Sequence, residues 1–146
     1  MKKGIELFKK NRIRITQQRL LVYRLLEGSR AHPTAEHIYA RLKKENPSIS
    51  LATVYTILEL FRTKRLVREV RIKPDRRCFD PVIEPHHHFL CRACGAIFDI
   101  DLPPCLMAEK GEAQGHAIEE FQGYFYGVCK MCKARQGRAV RSQRRR

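Results

Sequence analysis

Two C-x-x-C pairs, formed by Cys91 with Cys94 and by Cys129 with Cys132, constrain the fold of this chain more than any other feature. Each C-x-x-C turn directs two sulfurs to one side, and two such turns supply the four thiolates of a tetrahedral zinc site with no open position. Because each pair adjoins strand-like sequence, an ion there would join the last strand of a small C-terminal domain to its first and stabilise its thin core. Reduced free thiols, a redox pair and an iron–sulfur cluster are the alternatives.

The composition is that of a globular protein. The chain has 146 residues, of which 43% are hydrophobic, enough for one domain or two small ones. It has no apolar run approaching the roughly 18 residues that a membrane helix needs, and its start, MKKGIELFKKNRIR, lacks the apolar segment of a secretory signal. These features predict a cytoplasmic protein without a membrane span. In that compartment the cysteine spacing favours a metal over disulfides.

The charge points to a polyanionic partner. The net charge of +15 comes from 30 basic against 15 acidic residues, and it favours nucleic acid over an anionic membrane surface. Residues 129–146 contain cations and no acid. We expect residues 135–146 to be a disordered basic tail, either a solvated non-specific anchor or a segment with a specific role.

Three amphipathic helices are predicted in the first 65 residues, each with a hydroxyl residue at its N-cap. Thr16 caps QQRLLVYRLL, Thr34 caps the helix that Asn46-Pro47 ends, and Ser50 caps LATVYTILELF. Two strand-like segments follow, LVREVRI and RRCFD, around a turn at Lys73-Pro74-Asp75. Helices followed by a basic hairpin are typical of a winged helix-turn-helix domain, with an ordinary helical bundle as the alternative.

The helix that begins after Ser50 is the predicted recognition helix. Its inward face is apolar, and its outward face near the start carries Thr53, Tyr55 and Thr56, which can reach base edges and phosphates. Cations flank this region and argue against a plain bundle: Arg12, Arg14, Arg19, Arg62, Lys64, Arg65, Arg68 and Arg71.

Beyond PVIEP, residues 81–85, the sequence alternates and becomes rich in strand-like segments. Only PCLMAEKGEAQG, residues 104–115, is predicted to be helical there. We therefore place a domain boundary near residues 78–85.

A second metal site is predicted from histidines and carboxylates. His86 and His88 are two apart on a predicted strand, so their rings lie on one face, whereas the ring of the residue between them faces the other way. Two imidazoles with a carboxylate can bind Zn²⁺, Fe²⁺ or Mn²⁺. Asp80, Asp99 and His32 are the further candidates, although His32 could instead cap a helix and Asp99 could simply be solvated.

Taken together, these residues resemble the ferric uptake regulator (Fur) family of metal-dependent transcriptional repressors. The matching stretches are RITQQR, AHPTAEHIY, SLATVYTIL, HHHFLCRACGAIFDID and YGVCKMC. They occur in the family's order and cover nearly the whole chain to about residue 134. A generic zinc ribbon would not carry HPTA or ATVY upstream. An aspartate at position 99 is most similar to the peroxide-sensing (PerR) branch, because the iron-uptake branch tends to have glutamate there.

The resemblance implies an α+β homodimer that binds a palindromic operator in double-stranded DNA. It implies a winged-helix DNA-binding domain at residues 1–80 and a metal-binding α/β dimerisation domain at residues 84–134. The four paired cysteines would hold structural Zn²⁺, and Fe²⁺ or Mn²⁺ would act as corepressor. The regulatory ligands would be His32, Asp80, His86, His88 and Asp99.

The resemblance also implies residue roles in sensing and in DNA binding. In a peroxide sensor, bound Fe²⁺ reduces hydrogen peroxide and a ligand, here His32 or His86, is oxidised, which ends repression. The expected DNA-binding residues are Arg14, Arg19, Ser50, Thr53, Tyr55 and Thr56. Of these, Tyr55 would enter the major groove and Arg14 the minor groove.

Other functions remain as alternatives. Iron-uptake or zinc-uptake control is the alternative within the family, the latter because Cys78 lies two residues from Asp80. A zinc-dependent hydrolase would need an open coordination position and a separate general base, and no such base stands out, so we expect a protein that is not an enzyme. A zinc-ribbon nucleic-acid-binding module without a switch is the third class.

Overall fold

A computed structural model describes residues 2–84, 86–102, 111–118 and 121–135. The chain divides into two compact units, Met1–Glu84 and Pro85–Arg146. The first unit contains four helices and a hairpin: α1 (Lys2–Lys10), α2 (Gln17–Leu26), α3 (Ala35–Glu45), α4 (Leu51–Thr63), β1 (Arg68–Lys73) and β2 (Arg76–Asp80). Within the described residues, every helix is too short or too polar to span a bilayer.

The three predicted N-caps are confirmed. The side chain of Thr16 accepts a hydrogen bond from the backbone N–H of Arg19 at the start of α2. Thr34 and Ser50 do the same for the third residue of α3 and of α4, respectively. Each cap satisfies a backbone donor that the helix itself leaves unpaired, which is why these helices begin where they do.

The core of the first unit is built from one apolar stripe on each helix. On α4 the stripe is the predicted one, and its four members are buried: Val54, Ile57, Leu58 and Phe61. Helix α1 was not predicted as an element, and it joins this core through Phe8. The Phe8 ring is fully buried, with its centroid 5.4 Å from that of Phe61 and 5.7 Å from that of Tyr23.

The hairpin is antiparallel, and its turn lies at Pro74 and Asp75 as predicted. Glu69 pairs with Phe79 and Val70 with Cys78, before an irregularity shifts the register towards the turn. The Cys78 thiol is buried in the hairpin. Helices α3 and α4 followed by this hairpin form the predicted winged helix-turn-helix.

The described residues of the second unit form two small sheets. Its strands are β3 (His87–Cys91), β4 (Ile97–Ile100), β5 (Glu112–Ala113), β6 (His116–Ala117) and β7 (Tyr124–Gly127). The larger sheet has the order β4-β3-β7, in which β3 pairs with β4 antiparallel and with β7 parallel. Strands β5 and β6 form a separate antiparallel hairpin.

The helix predicted over residues 104–115 is wrong where the structure describes it. Residues 112–113 are strand β5, and the chain turns at Gln114 and Gly115, whose φ angles are 52° and 82°. Left-handed backbone of this kind ends a helix and suits a hairpin turn. The rest of the segment, with Cys105, lies outside the described residues, as does the predicted tail beyond Arg135.

Candidate metal centres and DNA-binding face

The four paired cysteines lie together in the second unit. Cys91 ends β3, Cys94 is in the following turn, Cys129 comes two residues after β7, and Cys132 lies in the helical residues 130–135. The parallel pairing of β3 with β7 places Cys91 beside Gly127, which brings the second C-x-x-C turn to the first.

The sulfur geometry fits a zinc ion. The four Sγ atoms lie within 4.8 Å of one another, and Cys94 Sγ is 3.9 Å from Cys129 Sγ. Zn–S bonds of about 2.3 Å in a tetrahedron separate the sulfurs by about 3.8 Å. The donor set and its spacing therefore suit a closed structural site.

Backbone amides prepare this cluster for a cation. The N–H of Cys129 donates to Cys91 Sγ at 3.2 Å, and this bond is the main reason that the pKa of Cys91 is lowered to about 6. Hydrogen bonds to neighbouring sulfurs raise the pKa of Cys132, and the bond to the Cys129 sulfur is the largest cause. At neutral pH the Cys91 sulfur is therefore mainly a thiolate, which is the form that ligates a metal.

In the first unit, His32 and Asp80 form a buried pair. Their exposed fractions are 3% and 1%, and His32 Nε2 lies 3.8 Å from Asp80 Oδ2. His32 Nδ1 is 3.1 Å from the carbonyl oxygen of Arg30, so the neutral ring carries its proton there and turns the lone pair of Nε2 towards the carboxylate. A lone pair facing a buried carboxylate suits a proton or a metal cation between them.

The backbone holds this pair in place. His32 has a φ of 45°, a left-handed conformation that a non-glycine residue adopts at some energetic cost. The N–H of Phe79 donates to the carbonyl of Pro33 at 3.0 Å, which ties the His32 loop to the end of β2. Asp80 Oδ1 accepts from the N–H of Val82 at 2.9 Å, which orients the other oxygen towards His32.

In the second unit, His86, His88 and Asp99 form another group. His86 Nε2 lies 3.1 Å from His88 Nε2 and 3.6 Å from Asp99 Oδ1. His88 pairs directly with Asp99 across β3 and β4, and its ring is 4% exposed. Two imidazole nitrogens and a carboxylate oxygen, without sulfur, suit Fe²⁺, Mn²⁺ or Zn²⁺. The ring of His87 lies instead against Phe121 and Phe125, as the strand alternation predicted.

The predicted DNA-binding residues lie in the first unit. Tyr55 is 41% exposed and Thr56 is exposed on the outward side of α4. The hydroxyls of Ser50 and Thr53 lie 2.8 Å apart in the capping turn. Arg14 is exposed, and its carbonyl accepts a bond from Arg19 Nη1 at 2.7 Å.

Glu36 also belongs to this face of the first unit, although the sequence did not predict it. The hydroxyl of Tyr55 donates a hydrogen bond to the carboxylate of Glu36, in the first turn of α3. The two residues are 19 apart in sequence, so no local pattern could have revealed the contact.

Comparison with known proteins decides the family. The profile of the ferric uptake regulator family matches residues 10–124. The chain belongs to this family. Members of this family are DNA-binding, dimeric, metal-dependent repressors. The predicted membership of the ferric uptake regulator family and the predicted α+β fold class are both confirmed.

The similar proteins include peroxide regulators. The chain is 36% identical to the peroxide operon regulator of Bacillus subtilis over 138 residues, covering 93% of this chain and 95% of that protein. It is 33% identical to the peroxide-responsive repressor PerR of Staphylococcus epidermidis, covering 91% and 90%. The solved Helicobacter pylori ferric uptake regulator shares the fold with a TM-score of 0.69 and 22% identity, over 90% of each chain.

Proposed function

We propose that this Fur-family chain is a metal-dependent DNA-binding repressor that responds to peroxide, with Fe²⁺ or Mn²⁺ as corepressor. The proposal depends on one observation: the chain has histidine and aspartate donor groups without sulfur, apart from the cysteine cluster. These groups are His32 with Asp80, and His86 with His88 and Asp99. The 36% identity to a peroxide operon regulator supports the peroxide response over iron-uptake or zinc-uptake control.

The cysteine cluster would bind structural Zn²⁺. Its four sulfurs leave no position for a substrate or sensor ligand. Exposed apolar side chains in the second unit, among them Phe98, Phe125 and Tyr126, support a homodimer interface there. The proposed domain assignments are residues 1–80 for DNA binding and 84–134 for metal binding and dimerisation.

The five sulfur-free ligands would share one regulatory cation. His32 and Asp80 belong to the proposed DNA-binding domain, the latter as its last residue. The other three ligands belong to the proposed dimerisation domain. A cation held by both groups would favour one arrangement of the domains over others, and a dimer needs its recognition helices about 34–36 Å apart to reach successive major grooves. Metal occupancy would thereby control operator binding.

The peroxide response would act through the ligand histidines. The donor atoms of these residues would hold Fe²⁺, which would supply the electron that reduces peroxide, whereas Mn²⁺ would not readily do so. By the resemblance to peroxide sensors of this family, the imidazoles of His32 and His86 are the ligands proposed to be oxidised; their Nε2 atoms lie 3.8 Å from Asp80 Oδ2 and 3.6 Å from Asp99 Oδ1, respectively. An oxidised imidazole is a poor donor, so the protein would lose its metal and leave the operator.

The DNA-binding face would consist of Arg14, Arg19, Ser50, Thr53, Tyr55 and Thr56. Tyr55 and Thr56 are exposed on α4 and would meet the major groove, and Arg14 would meet the minor groove. The hydroxyls of Ser50 and Thr53 cap the helix, and backbone donors at this helix start would contact phosphate. Such a protein works by binding rather than by turnover, in the cytoplasm where the DNA is.

A DNA-shift titration tests the proposal. Operator DNA is first selected from a random duplex pool with the Mn²⁺-loaded protein, then titrated with Fe²⁺, Mn²⁺ or Zn²⁺, each with and without peroxide. We expect Fe²⁺ and Mn²⁺ to support binding and peroxide to abolish it only with Fe²⁺. Mass spectrometry should then find one added oxygen atom on a peptide that contains His32 or His86.

Each other outcome points to a different function. Binding that ignores metals and chelators would indicate a zinc-ribbon module without a switch. Fe²⁺-dependent binding that survives peroxide would indicate iron-uptake control, and dependence on added Zn²⁺ alone would indicate zinc-uptake control. Zn²⁺-dependent hydrolysis of phosphoesters would indicate an enzyme.

A further inference from the structure

The hydroxyl of Tyr55 has a hydrogen-bond partner within the first unit. It donates to the carboxylate of Glu36, which lies in the first turn of α3, two residues after the cap Thr34. Both residues are exposed, so the contact lies on the surface of the first unit that carries the recognition helix.

The contact borders a polar cleft of about 390 Å³. Helix α3 lines it with Thr34, Glu36 and His37, helix α4 with Tyr55, and the tip of the wing with Asp75, Arg76 and Arg77. The recognition helix, the preceding helix and the wing therefore each contribute side chains to the cleft that Tyr55 lines.

The bond is charge-assisted. The hydrogen bond from Tyr55 is the main cause that lowers the pKa of Glu36, and a bond from Thr34 adds to it. The same bond is the main cause that raises the pKa of Tyr55. At neutral pH an ionised carboxylate thus accepts from a neutral phenol, and hydrogen bonds of this kind are roughly twice as strong as neutral ones.

The geometry points to Glu36 as a positioning residue that determines which part of Tyr55 reads the operator. With its hydroxyl held by Glu36, Tyr55 offers DNA the apolar ring and not a hydrogen-bond donor. An apolar side chain discriminates thymine by contact with its 5-methyl group. The negative charge of Glu36 also disfavours a phosphate at the hydroxyl. The inference rests on the proposed function, in which Tyr55 contacts DNA.

Replacing thymine by uracil tests this inference, because the exchange removes only the methyl group. Each thymine of the selected operator is replaced in turn, and the dissociation constant is measured for the Mn²⁺-loaded wild type and for Glu36→Ala, Glu36→Gln and Tyr55→Phe. We expect one exchange to weaken wild-type binding by about tenfold, corresponding to about 1.4 kcal/mol. Glu36→Ala should lose most of this discrimination, and Glu36→Gln, which keeps an acceptor oxygen, should retain part of it.

A double variant isolates the hydrogen bond. Adding Glu36→Ala to Tyr55→Phe should not change the uracil response further, because the hydroxyl that Glu36 holds is already absent. Tyrosine ring NMR should show the Tyr55 phenol ionising at lower pH in Glu36→Ala than in wild type, with Tyr55→Phe assigning the signal. A merely structural role for Glu36 would not produce this pair of results.

Glu45→Ala is the matched control. Glu45 lies at the other end of α3, where it forms an ion pair with Arg24, and its loss changes the net charge equally. Glu45→Ala should change the dissociation constants of the thymine and uracil operators by the same factor, and so leave the uracil response unchanged. An unaltered uracil response in Glu36→Ala, or a Glu36 effect that persists in Tyr55→Phe, overturns the inference alone. A pool that yields no metal-dependent operator overturns the proposed function and the inference with it.

Discussion

His88 illustrates how one buried side chain connects the fold to the proposed switch. Strand β3 buries its ring, register with β4 sets Asp99 opposite, and Nε2 lies 3.1 Å from Nε2 of His86. Replacing His88 by alanine should abolish Mn²⁺-dependent operator binding, because the proposed regulatory cation would lose one of its nitrogen donors. The cysteine cluster is a separate site, so the zinc content should not change. DNA-shift titration and elemental analysis measure the two effects.

His116→Ala provides the control for that experiment. His116 is an exposed histidine of the same unit, on the β5–β6 hairpin, and it belongs to neither donor group. This variant should bind the operator with wild-type affinity. If His88→Ala also kept its Mn²⁺ dependence, His88 would have no part in the switch.

Sequence alone reached part of this site, for reasons visible at single residues. Strand alternation was sufficient to predict that His86 and His88 share a face, since the period of a strand is two. The partnership of His88 with Asp99 depends on strand register, and that of His32 with Asp80 on a loop tied to β2. Sequence analysis could name Asp80, Asp99 and His32 as candidate ligands, but long-range pairing decides which of them lie together, so only the family resemblance joined them into one site.

At the scale of the elements, the Tyr23 ring packs so closely against α1 that only glycine fits at position 4 without a clash. A Cβ at Gly4 would lie 2.9 Å from Tyr23 Cδ1, and the Tyr23 ring packs against Phe8 and Phe61. Alanine is favoured over glycine inside a helix by up to about 1 kcal/mol. Overpacking typically costs about 1–3 kcal/mol, so the clash should outweigh this preference. Gly4→Ala should therefore lower the free energy of unfolding by about 1 kcal/mol, measured in urea.

Glu6→Ala is the comparison for Gly4→Ala. Glu6 is exposed on the same helix, so the change should leave the free energy of unfolding within about 0.5 kcal/mol of the wild type. Stabilisation by Gly4→Ala would mean that the Tyr23 ring moves aside at no cost, and that α1 docks more loosely than its contacts indicate.

The elements differ in how well local sequence predicts them. Hydroxyl caps and a Pro-Asp turn are local signals, and the helices and the hairpin that they bound are confirmed. Helix α1 was missed because its stripe is short and interrupted by Gly4. The error at residues 112–115 came from helix-favouring alanine and glutamate, whose preference the left-handed turn at Gln114 and Gly115 overrides. The parallel pairing of β7 with β3 joins distant segments and has no local signal.

At the scale of the whole molecule, the two units differ in what stabilises them. The first has an apolar core contributed by all four of its helices. In the described part of the second, the buried side chains are Cys91, Cys129, Ile97 and His88. Two of these four are candidate zinc ligands, so metal binding should contribute a large share of the stability of this described part.

Replacing Cys94 by serine tests this division. The variant should lose its zinc and, because the exposed apolar side chains proposed for the dimer interface belong to the zinc-dependent unit, sediment as a monomer. The far-ultraviolet helical signal should largely persist, since α1 to α4 form a core without cysteine ligands. Cys78→Ala, at the buried thiol outside the cluster, should keep both zinc and dimer. A Cys94→Ser protein that retained its zinc and remained dimeric would show that the cluster does not stabilise the second unit.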